Sequence, residues 1–142
     1  PLPASRPGWR SGAVKQEMIR RVLDLRRRRP GLFAEGAYRP LPARGPRAAN
    51  LLAFARQDGD GVVVVTVPLK AARLWPDGQE APPLGPAWRG VVVEAPRRSG
   101  GGFRDLFTGV TIEPVARRGT PVFPVPDLFA RFPLAVLEAS SQ

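Results

Sequence analysis

Residues 49–69 read ANLLAFARQDGDGVVVVTVPL, which is the clearest structural pattern in the sequence. Two runs rich in apolar and β-branched residues, 51–56 and 62–67, flank the tetrapeptide DGDG at 58–61. Asp-Gly pairs between such runs are strong hairpin signals, because the turns that join twisted strands need positive φ angles. The stretch therefore predicts an antiparallel β-hairpin.

Two loops resemble ligand-binding loops in composition, but each lacks residues that would be needed to bind the ligand. Asp58 and Asp60 flank a glycine, as at the opening of a calcium loop, but neither the next alternate ligand nor a closing glutamate follows. The glycine-rich stretch 99–102 lacks the lysine and hydroxyl of a phosphate-binding loop. We therefore interpret the first as a hairpin turn and the second as a loop.

Short apolar runs alternate with glycine and proline along the whole chain beyond Gly36. The predicted strands are 37–41, 51–56, 62–67, 91–95, 103–107, 110–113, 120–123 and 134–137. Residues 73–87 form the longest predicted loop, and 127–132 one short helix. Strands at this spacing are typical of an antiparallel sandwich or small barrel. We predict a mainly β fold, with residues 36–142 forming a C-terminal antiparallel β-sandwich domain.

A helical pattern precedes the predicted strands. Its apolar residues recur three and four positions apart, the spacing of one helix face: Val14, Met18, Ile19, Val22, Leu23 and Leu25. Ser11 is the predicted N-cap, and Pro30 ends the pattern because it lacks a backbone donor. We therefore predict an extended leader over 1–12, a helix over 13–29 and a turn at Gly31.

The apolar face of this helix is unusually wide. At 100° per residue its side chains cover an arc of about 180°, against a stripe of ~100° for a helix that faces one core. Lys15 and Arg26 lie near the middle of the arc. We expect the β-domain to bury one edge of the arc and to leave the rest for another surface.

The arginine run at 26–29 has a structural interpretation. Positive side chains suit a helix C-terminus, where the helix dipole is negative. Asp24 and Arg28 are four residues apart, as are Glu17 and Arg21, which is the spacing of ion pairs along a helix.

The charge balance leaves two interpretations open. The 142 residues suit one domain, and they carry 22 basic and 12 acidic residues, a net charge of +10. Only Lys15 and Lys70 among the basic residues are lysines. A basic excess is typical of nucleic-acid binders. An excess of arginine, alanine, glycine and proline is also what GC-rich coding DNA produces.

The residue types that are missing exclude several chemistries. The chain has no cysteine and no histidine, which excludes disulfides, thiolate or imidazole zinc sites and Ser-His nucleophile pairs. No apolar run approaches the ~20 residues that span a bilayer, and no export leader opens the chain, so we expect no membrane partner and a cytoplasmic location. The chain begins at Pro1 and its single methionine is Met18, so we expect a piece of a longer polypeptide.

Six segments in order resemble one family. The segment 18–41, MIRRVLDLRRRRPGLFAEGAYRPL, is similar to the last barrel helix and first C-terminal strand of glycoside hydrolase family 13 (α-amylase-like) enzymes. Later segments narrow the resemblance to the maltooligosyltrehalose synthase family: ANLLAFAR (49–56), VVVVTVPL (62–69), WRGVVVEAP (88–96), FRDLFTG (103–109) and LFARFPLAVLEA (128–139). The resemblance covers about residues 9–139.

The resemblance implies an isomerase of trehalose biosynthesis. Such enzymes convert the reducing-end α-1,4 bond of a maltooligosaccharide into an α,α-1,1 bond by intramolecular transglucosylation. Their two carboxylates act as in retaining glycosidases and lie on the barrel, outside this chain. The resemblance therefore implies a structural role for this segment, which alone is expected to be inactive, with no catalytic residue, no cofactor and no metal.

The family pattern Trp-x-Asp-Gly-Arg-x-Lys gives two candidate substrate-binding residues, Trp9 and Lys15. Ser11 and Ala13 depart from this pattern, standing where the aspartate and arginine would be. The expected partner is the catalytic barrel of the parent, docked on the helix face Val14, Met18, Ile19, Val22, Leu23 and Leu25, and the maltooligosaccharide is expected to bind only through that parent. Without the barrel, the helix face would be exposed or covered by the leader or by a second copy of the chain.

Two alternatives stay open from the residues. One is a small basic β-domain that binds RNA or another polyanion, although the resemblance implies no nucleic acid. The other is a carbohydrate-binding module that uses Trp75 or Trp88, although packing is the commoner use of such residues.

Overall fold

Two antiparallel sheets form the framework of the protein, whose computed structural model describes residues 12–59, 61–69, 83–98 and 100–140. The strands are β1 Ala37–Pro40, β2 Ala43–Arg44, β3 Leu51–Asp58, β4 Gly61–Pro68, β5 Val92–Glu94, β6 Phe103–Asp105, β7 Thr111–Ile112, β8 Val115–Arg117, β9 Thr120–Pro124 and β10 Ala135–Ala139. The six-stranded sheet has the order β1-β3-β4-β10-β6-β7, and the four-stranded sheet the order β2-β5-β9-β8. The mainly β, antiparallel prediction is confirmed.

In the described residues, three α-helices accompany the sheets: α1 Ala13–Arg28, α2 Pro30–Glu35 and α3 Val125–Leu128. Short 3-10 helices cover Ala48–Asn50 and Gly85–Trp88. The division into leader, helix and β-domain at 1–12, 13–29 and 36–142 stays a prediction, since residues 1–11 lie outside the described part.

The predicted hairpin is confirmed. β3 and β4 pair along their whole length, and Asp58 lies opposite Gly61, which leaves a two-residue connection at 59–60. Gly59 has a φ of 58°, a conformation that glycine adopts without steric cost. Asp60 itself lies outside the described residues.

Alternation along β3 and β4 divides the six-stranded sheet into two different faces. Ala53, Ala55 and Val64 are buried on the inner face, in a core shared with Phe123 of the four-stranded sheet. Val63, one residue along, points to the outer face. The fold is therefore three layers deep where a helix covers that outer face.

Helices α1 and α2 cover part of the outer face. The second core combines Val14, Leu25 and Leu32 from these helices with residues of the sheet and its loops: Val63, Phe107, Phe132 and Val136. Along one edge, the helices therefore pack against the β-domain and share a hydrophobic core with it.

The corner between α1 and β1 differs from the prediction. Pro30 ends α1 as expected, but the chain forms a second helix from Pro30 onward where a turn at Gly31 was predicted. The physical reason is that proline suits the first helical position, where its missing N–H leaves no bond unmade. The N-cap residue of α1 is Gly12, in the left-handed region, and not the predicted Ser11.

Other boundaries moved by a few residues. A helix was predicted at 127–132, whereas α3 covers Val125–Leu128. The two-residue β2 and the three-residue β8 were not predicted, because runs this short show little alternation of apolar and polar residues. Most of the predicted loop at 73–87 lies outside the described residues; its end forms the 3-10 helix Gly85–Trp88.

Candidate docking surface

Helix α1 buries only one edge of its wide apolar arc. Val14 and Leu25 are buried, and Met18 and Val22 are half-buried. Ile19 and Leu23, at the far edge of the arc, are 59% and 44% exposed. The expectation that the β-domain covers part of the arc is confirmed for a single chain.

Polar contacts fix the buried edge of α1 to the sheet. The Arg21 guanidinium donates to the carbonyl oxygens of Leu106 and Phe107 at 3.2 and 3.0 Å. At the other end of α1, Arg29 Nε donates to Glu138 Oε2 at 3.0 Å, on the neighbouring strand β10. The helix is thereby held in one rotation about its axis, which keeps the other edge outward.

The predicted ion pairs along α1 are confirmed. Glu17 lies 2.6 Å from Arg20 and 3.0 Å from Arg21, and Asp24 lies 3.4 Å from Arg28. Hydrogen bonds from Arg20 and then Arg21 lower the pKa of Glu17 to about 2. The arginine run at 26–29 is therefore partly structural, since Arg28 and Arg29 also contact Glu138.

A groove of about 360 Å³ runs along the outward edge of α1. It is lined by Leu23, Arg26, Arg27, Pro30, Phe33 and Ala34. Arg26 and Arg27 are exposed and make no ion pair with any described residue. The groove is therefore apolar at its base and positively charged at its rim.

The structure describes only one of the two predicted substrate-binding residues. Lys15 is exposed on the first turn of α1, whereas Trp9 lies outside the described residues. Their role stays a prediction.

Trp88 cannot serve as a sugar platform. Its ring is fully buried between the two sheets and packs edge-on against Phe129, with the ring centroids 5.3 Å apart. The interpretation of Trp88 as a carbohydrate-binding residue is wrong, because a sugar needs an exposed ring face. Trp75 lies outside the described residues.

Sequence reasoning missed Asp105, a buried carboxyl group at the end of β6. Its Oδ1 accepts a hydrogen bond from the backbone N–H of Phe107 at 2.8 Å, and its Oδ2 has no partner. Burial, the largest cause, raises the pKa of Asp105 to about 6. The only sequence signal was an aspartate inside the predicted strand 103–107, which should have been read as a strand end.

Asp105 stabilises the turn that receives Arg21 from α1. A shallow pocket of about 460 Å³ opens beside this turn and is lined by Arg21, Arg28, Arg104, Asp105, Leu106, Thr108, Gly109 and Glu138. Among the described residues no cluster of three or more carboxylates that could hold a metal ion is present. Nor is any described helix long and apolar enough to cross a membrane.

These features define a mainly β domain in which a helix presents an apolar edge that the domain itself leaves uncovered. No family model matches the chain. In sequence and in fold, however, it is related to a segment of maltooligosyltrehalose synthases.

The relatives agree on this assignment. Two proteins of Mycobacterium tuberculosis, from strains CDC 1551 / Oshkosh and ATCC 25618 / H37Rv and named maltooligosyl trehalose synthase, are 32% identical over 123 residues. A solved structure of a mutant maltooligosyltrehalose synthase from Arthrobacter ramosus matches 84% of the chain with 31% identity and a TM-score of 0.58. The chain spans only 13% of the length of each.

Proposed function

We propose that this chain is the C-terminal β-domain of a maltooligosyltrehalose synthase-like enzyme of glycoside hydrolase family 13, with a structural role. The complete enzyme would convert the reducing-end α-1,4 bond of a maltooligosaccharide into an α,α-1,1 bond, an isomerisation in the cytoplasm. The rest of the polypeptide would carry out the reaction, and this domain would support that part structurally.

The match to relatives supports the proposal. It covers 87% of this chain but 13% of each curated relative, so most of a relative's length has no counterpart here. Retaining glycosidase chemistry needs two carboxylates about 5 Å apart across the scissile bond. In the proposal, both belong to the barrel that this chain does not contain.

The divided arc of α1 is the single observation that carries the structural role. A helix that served this domain alone would gain nothing from Ile19 and Leu23, since exposed apolar side chains contribute little to its stability. A second surface against this edge would bury both residues. We assign that surface to the catalytic barrel, docked on the outward edge of α1.

Two measurements test the proposal. The coding sequence upstream of Pro1 should encode a family 13 barrel, and the complete polypeptide should form trehalose-terminated product from maltopentaose. This chain alone should form none, because it holds neither of the required carboxylates in the proposed assignment. Product from this chain alone, or a start codon beside Pro1, would overturn the proposal.

A variant pair tests the role of α1 in the complete polypeptide. Ile19→Asp with Leu23→Asp should lower the thermal unfolding midpoint and the rate of product formation, because two charges would enter the barrel contact. The matched control is Val115→Asp with Ala116→Asp, two exposed apolar residues on strand β8 of the four-stranded sheet. Equal effects of both pairs would contradict the role of α1.

A further inference from the structure

The outer face of the four-stranded sheet carries a second groove, in the layer farthest from α1. Its volume is about 630 Å³, which is within the size range of small-molecule sites. The residues that line it are Pro42, Arg44, Val92, Glu94, Arg117, Arg118, Thr120 and Val122. We call it the sheet groove. It takes no part in the contact assigned to α1, so its role is independent of the proposed function.

Strand register gives the sheet groove an apolar floor and one charged end. Val93 pairs with Phe123, and both are buried in the core, so Val92 points to the outer face. Arg44 pairs with Val92 and lies on the same face. Its guanidinium lies 3.3 Å from a carboxylate oxygen of Glu94. The charge of Arg44 is therefore balanced within the groove.

The turn between β8 and β9 forms the other end of the sheet groove. Arg117 pairs with Thr120, which leaves Arg118 and Gly119 as a two-residue connection. Both connecting residues have positive φ angles, 50° and 79°. Such a turn favours asparagine, aspartate or glycine at its first position. Among the described residues, Arg118 is the only one other than glycine with a positive φ.

The two arginines at this turn have no structural partner that explains them. Arg117 and Arg118 are exposed, and neither makes an ion pair with a described residue. A strained residue is retained where its side chain is needed, and such residues cluster at ligand-binding sites. The strain at Arg118 therefore points to a use for its charge in the groove that it lines.

We propose that the sheet groove binds a small organic phosphate, a phosphomonoester. Its phosphate would lie against Arg117, Arg118 and the hydroxyl of Thr120, and its carbon part would lie along the apolar floor. Arg44 lies three strand spacings from Arg117, about 14 Å, and is held by Glu94. The phosphate is therefore assigned to the turn.

Charge and shape favour this ligand. The two arginines at the turn carry a charge of +2, and a phosphomonoester carries about −1.5 to −2 at pH 7. The planar guanidinium group donates two parallel hydrogen bonds to phosphate oxygens. A monocarboxylate would neutralise only half of the charge at the turn.

A nucleic acid fits the sheet groove less well than a small phosphate. Single-stranded nucleic acids need aromatic rings on which the bases stack. No aromatic residue lines the groove, and Tyr38, the exposed aromatic residue of the described chain, lies on the other sheet. The apolar floor instead suits one small carbon skeleton.

Titration of the ¹⁵N-labelled chain with phenyl phosphate, followed by NMR at physiological salt, tests the proposal. We expect half-saturation below about 1 mM, with amide shifts concentrated at residues 92–94 and 117–122. Inorganic phosphate should bind about threefold more weakly or worse, because it lacks a carbon part to cover the floor. Half-saturation above about 1 mM, shifts spread over the whole chain, or equal affinity for the two probes would overturn the proposal.

A variant pair separates the site from the general positive charge. Arg117→Gln with Arg118→Asn should weaken binding of phenyl phosphate about tenfold or more, since it removes the charge-assisted hydrogen bonds. Arg118→Asn alone should also raise the thermal unfolding midpoint, because asparagine suits the turn. The matched control, Arg39→Gln with Arg131→Gln, lowers the net charge equally at two exposed positions outside the groove and should change binding less than twofold.

Three outcomes of these variants and of a competition would contradict the site. Equal weakening by both pairs would mean attraction to the net charge alone. Unchanged binding in the Arg117 and Arg118 pair would place the ligand elsewhere. Displacement of phenyl phosphate by homopolymeric RNA at submicromolar concentration would assign the groove to a polyanion.

The same titration of the complete polypeptide shows whether the sheet groove is open there. We expect half-saturation within about twofold of the value for this chain, since the groove lies in the layer farthest from α1. Loss of binding in the complete polypeptide would mean that the groove is covered there, and it would overturn the proposal for the enzyme.

Discussion

Asp105 is a carboxyl group that the domain withdraws from water at the turn against which α1 packs. Its Oδ1 holds the backbone N–H of Phe107, and Phe107 and Leu106 present their carbonyl oxygens to Arg21. One buried side chain thus shapes the turn that fixes the rotation of α1, although its Oδ2 remains without a hydrogen bond.

Stability should depend on pH through this residue. With the pKa of Asp105 raised to about 6 from 3.8, the folded protein holds the proton up to about pH 6, and the unfolded chain releases it near pH 4. The stabilising contribution of the proton is therefore full below about pH 4 and is lost as the pH rises through about 6. Asp105→Asn keeps an oxygen for Phe107 and carries no charge.

We expect Asp105→Asn to raise the free energy of unfolding at pH 7 by about 1 kcal/mol and to flatten its change between pH 4 and 7. Urea unfolding at several pH values measures both effects. Asp24→Asn is the control, because it removes an exposed carboxylate without touching the turn. A variant less stable than the wild type at pH 7, with an unchanged slope, would refute the assignment.

A second residue-scale constraint lies at the corner between α2 and β1. At Gly36 a Cβ atom would overlap the carbonyl oxygen of Leu32 and lie 3.2 Å from that of Gln57. Both obstacles are backbone atoms, so neither can move aside alone. This close approach explains why the helical pattern changes to a strand pattern at a glycine.

Gly36→Ala should therefore destabilise the chain by about 1–3 kcal/mol, as inserting an atom into a packed site does. Gly31→Ala is the matched control, because a Cβ there meets only Asp58 Oδ2 at 3.6 Å, within helix α2. That control should be neutral or stabilising by up to about 1 kcal/mol. Thermal unfolding of the two variants compares them, and a reversed order would contradict the packing of this corner.

At the level of secondary-structure elements, α1 has one edge that packs on the sheet and one edge that is exposed. Leu25 is fully buried between α1 and the sheet, and Leu23, two residues earlier, is nearly half exposed. The same residue type on the same helix therefore contributes to the core at one position and, in the proposed docking, would contribute to the barrel contact at the other.

In this chain, Leu25→Ala should lower the free energy of unfolding by about 2–5 kcal/mol, because it leaves a cavity in the helix-sheet core. Leu23→Ala should change it by no more than about 0.5 kcal/mol. Chemical denaturation of both variants gives the comparison. A large loss for Leu23→Ala in this chain would mean that the outward edge of α1 is already covered, against the docking proposal.

For the whole molecule, the net charge of +10 is the property that supports the alternative function, binding of RNA or another polyanion. Several arginines are engaged within the domain: Arg21 and Arg56 with backbone carbonyls, Arg98 with Ser140 and Gly102, and Arg44 with Glu94. Nucleic-acid platforms interleave cations with exposed aromatic rings on one face. Tyr38 is the only aromatic residue among the exposed large hydrophobics of the described chain.

We therefore expect RNA binding to be weak and independent of sequence, and to fall steeply with salt. Filter binding of homopolymeric and mixed-sequence RNA at two salt concentrations measures this. Submicromolar affinity for one sequence at physiological salt would refute the expectation and favour the polyanion-binding alternative.

Local sequence patterns are sufficient to predict the elements that depend on neighbours along the chain. The hairpin at 58–61, the helix from residue 13 and its ion pairs follow from turn chemistry, periodicity and spacing, which act over a few residues. The width of the apolar arc on α1 was also visible, and it predicted that the helix would serve two surfaces.

Which residues of those elements are buried and which are exposed depends on long-range contacts that the sequence does not show. Burial of Trp88, withdrawal of Asp105 from water and exposure of Tyr38 and Leu52 depend on which strands pair and where α1 lies across them. These are contacts between residues far apart in sequence. The alternation of apolar and polar residues shows on which face of a strand a residue lies, but it does not show what covers that face. The short strands β2 and β8 form for the same reason, because pairing partners stabilise them and their own residues carry little signal.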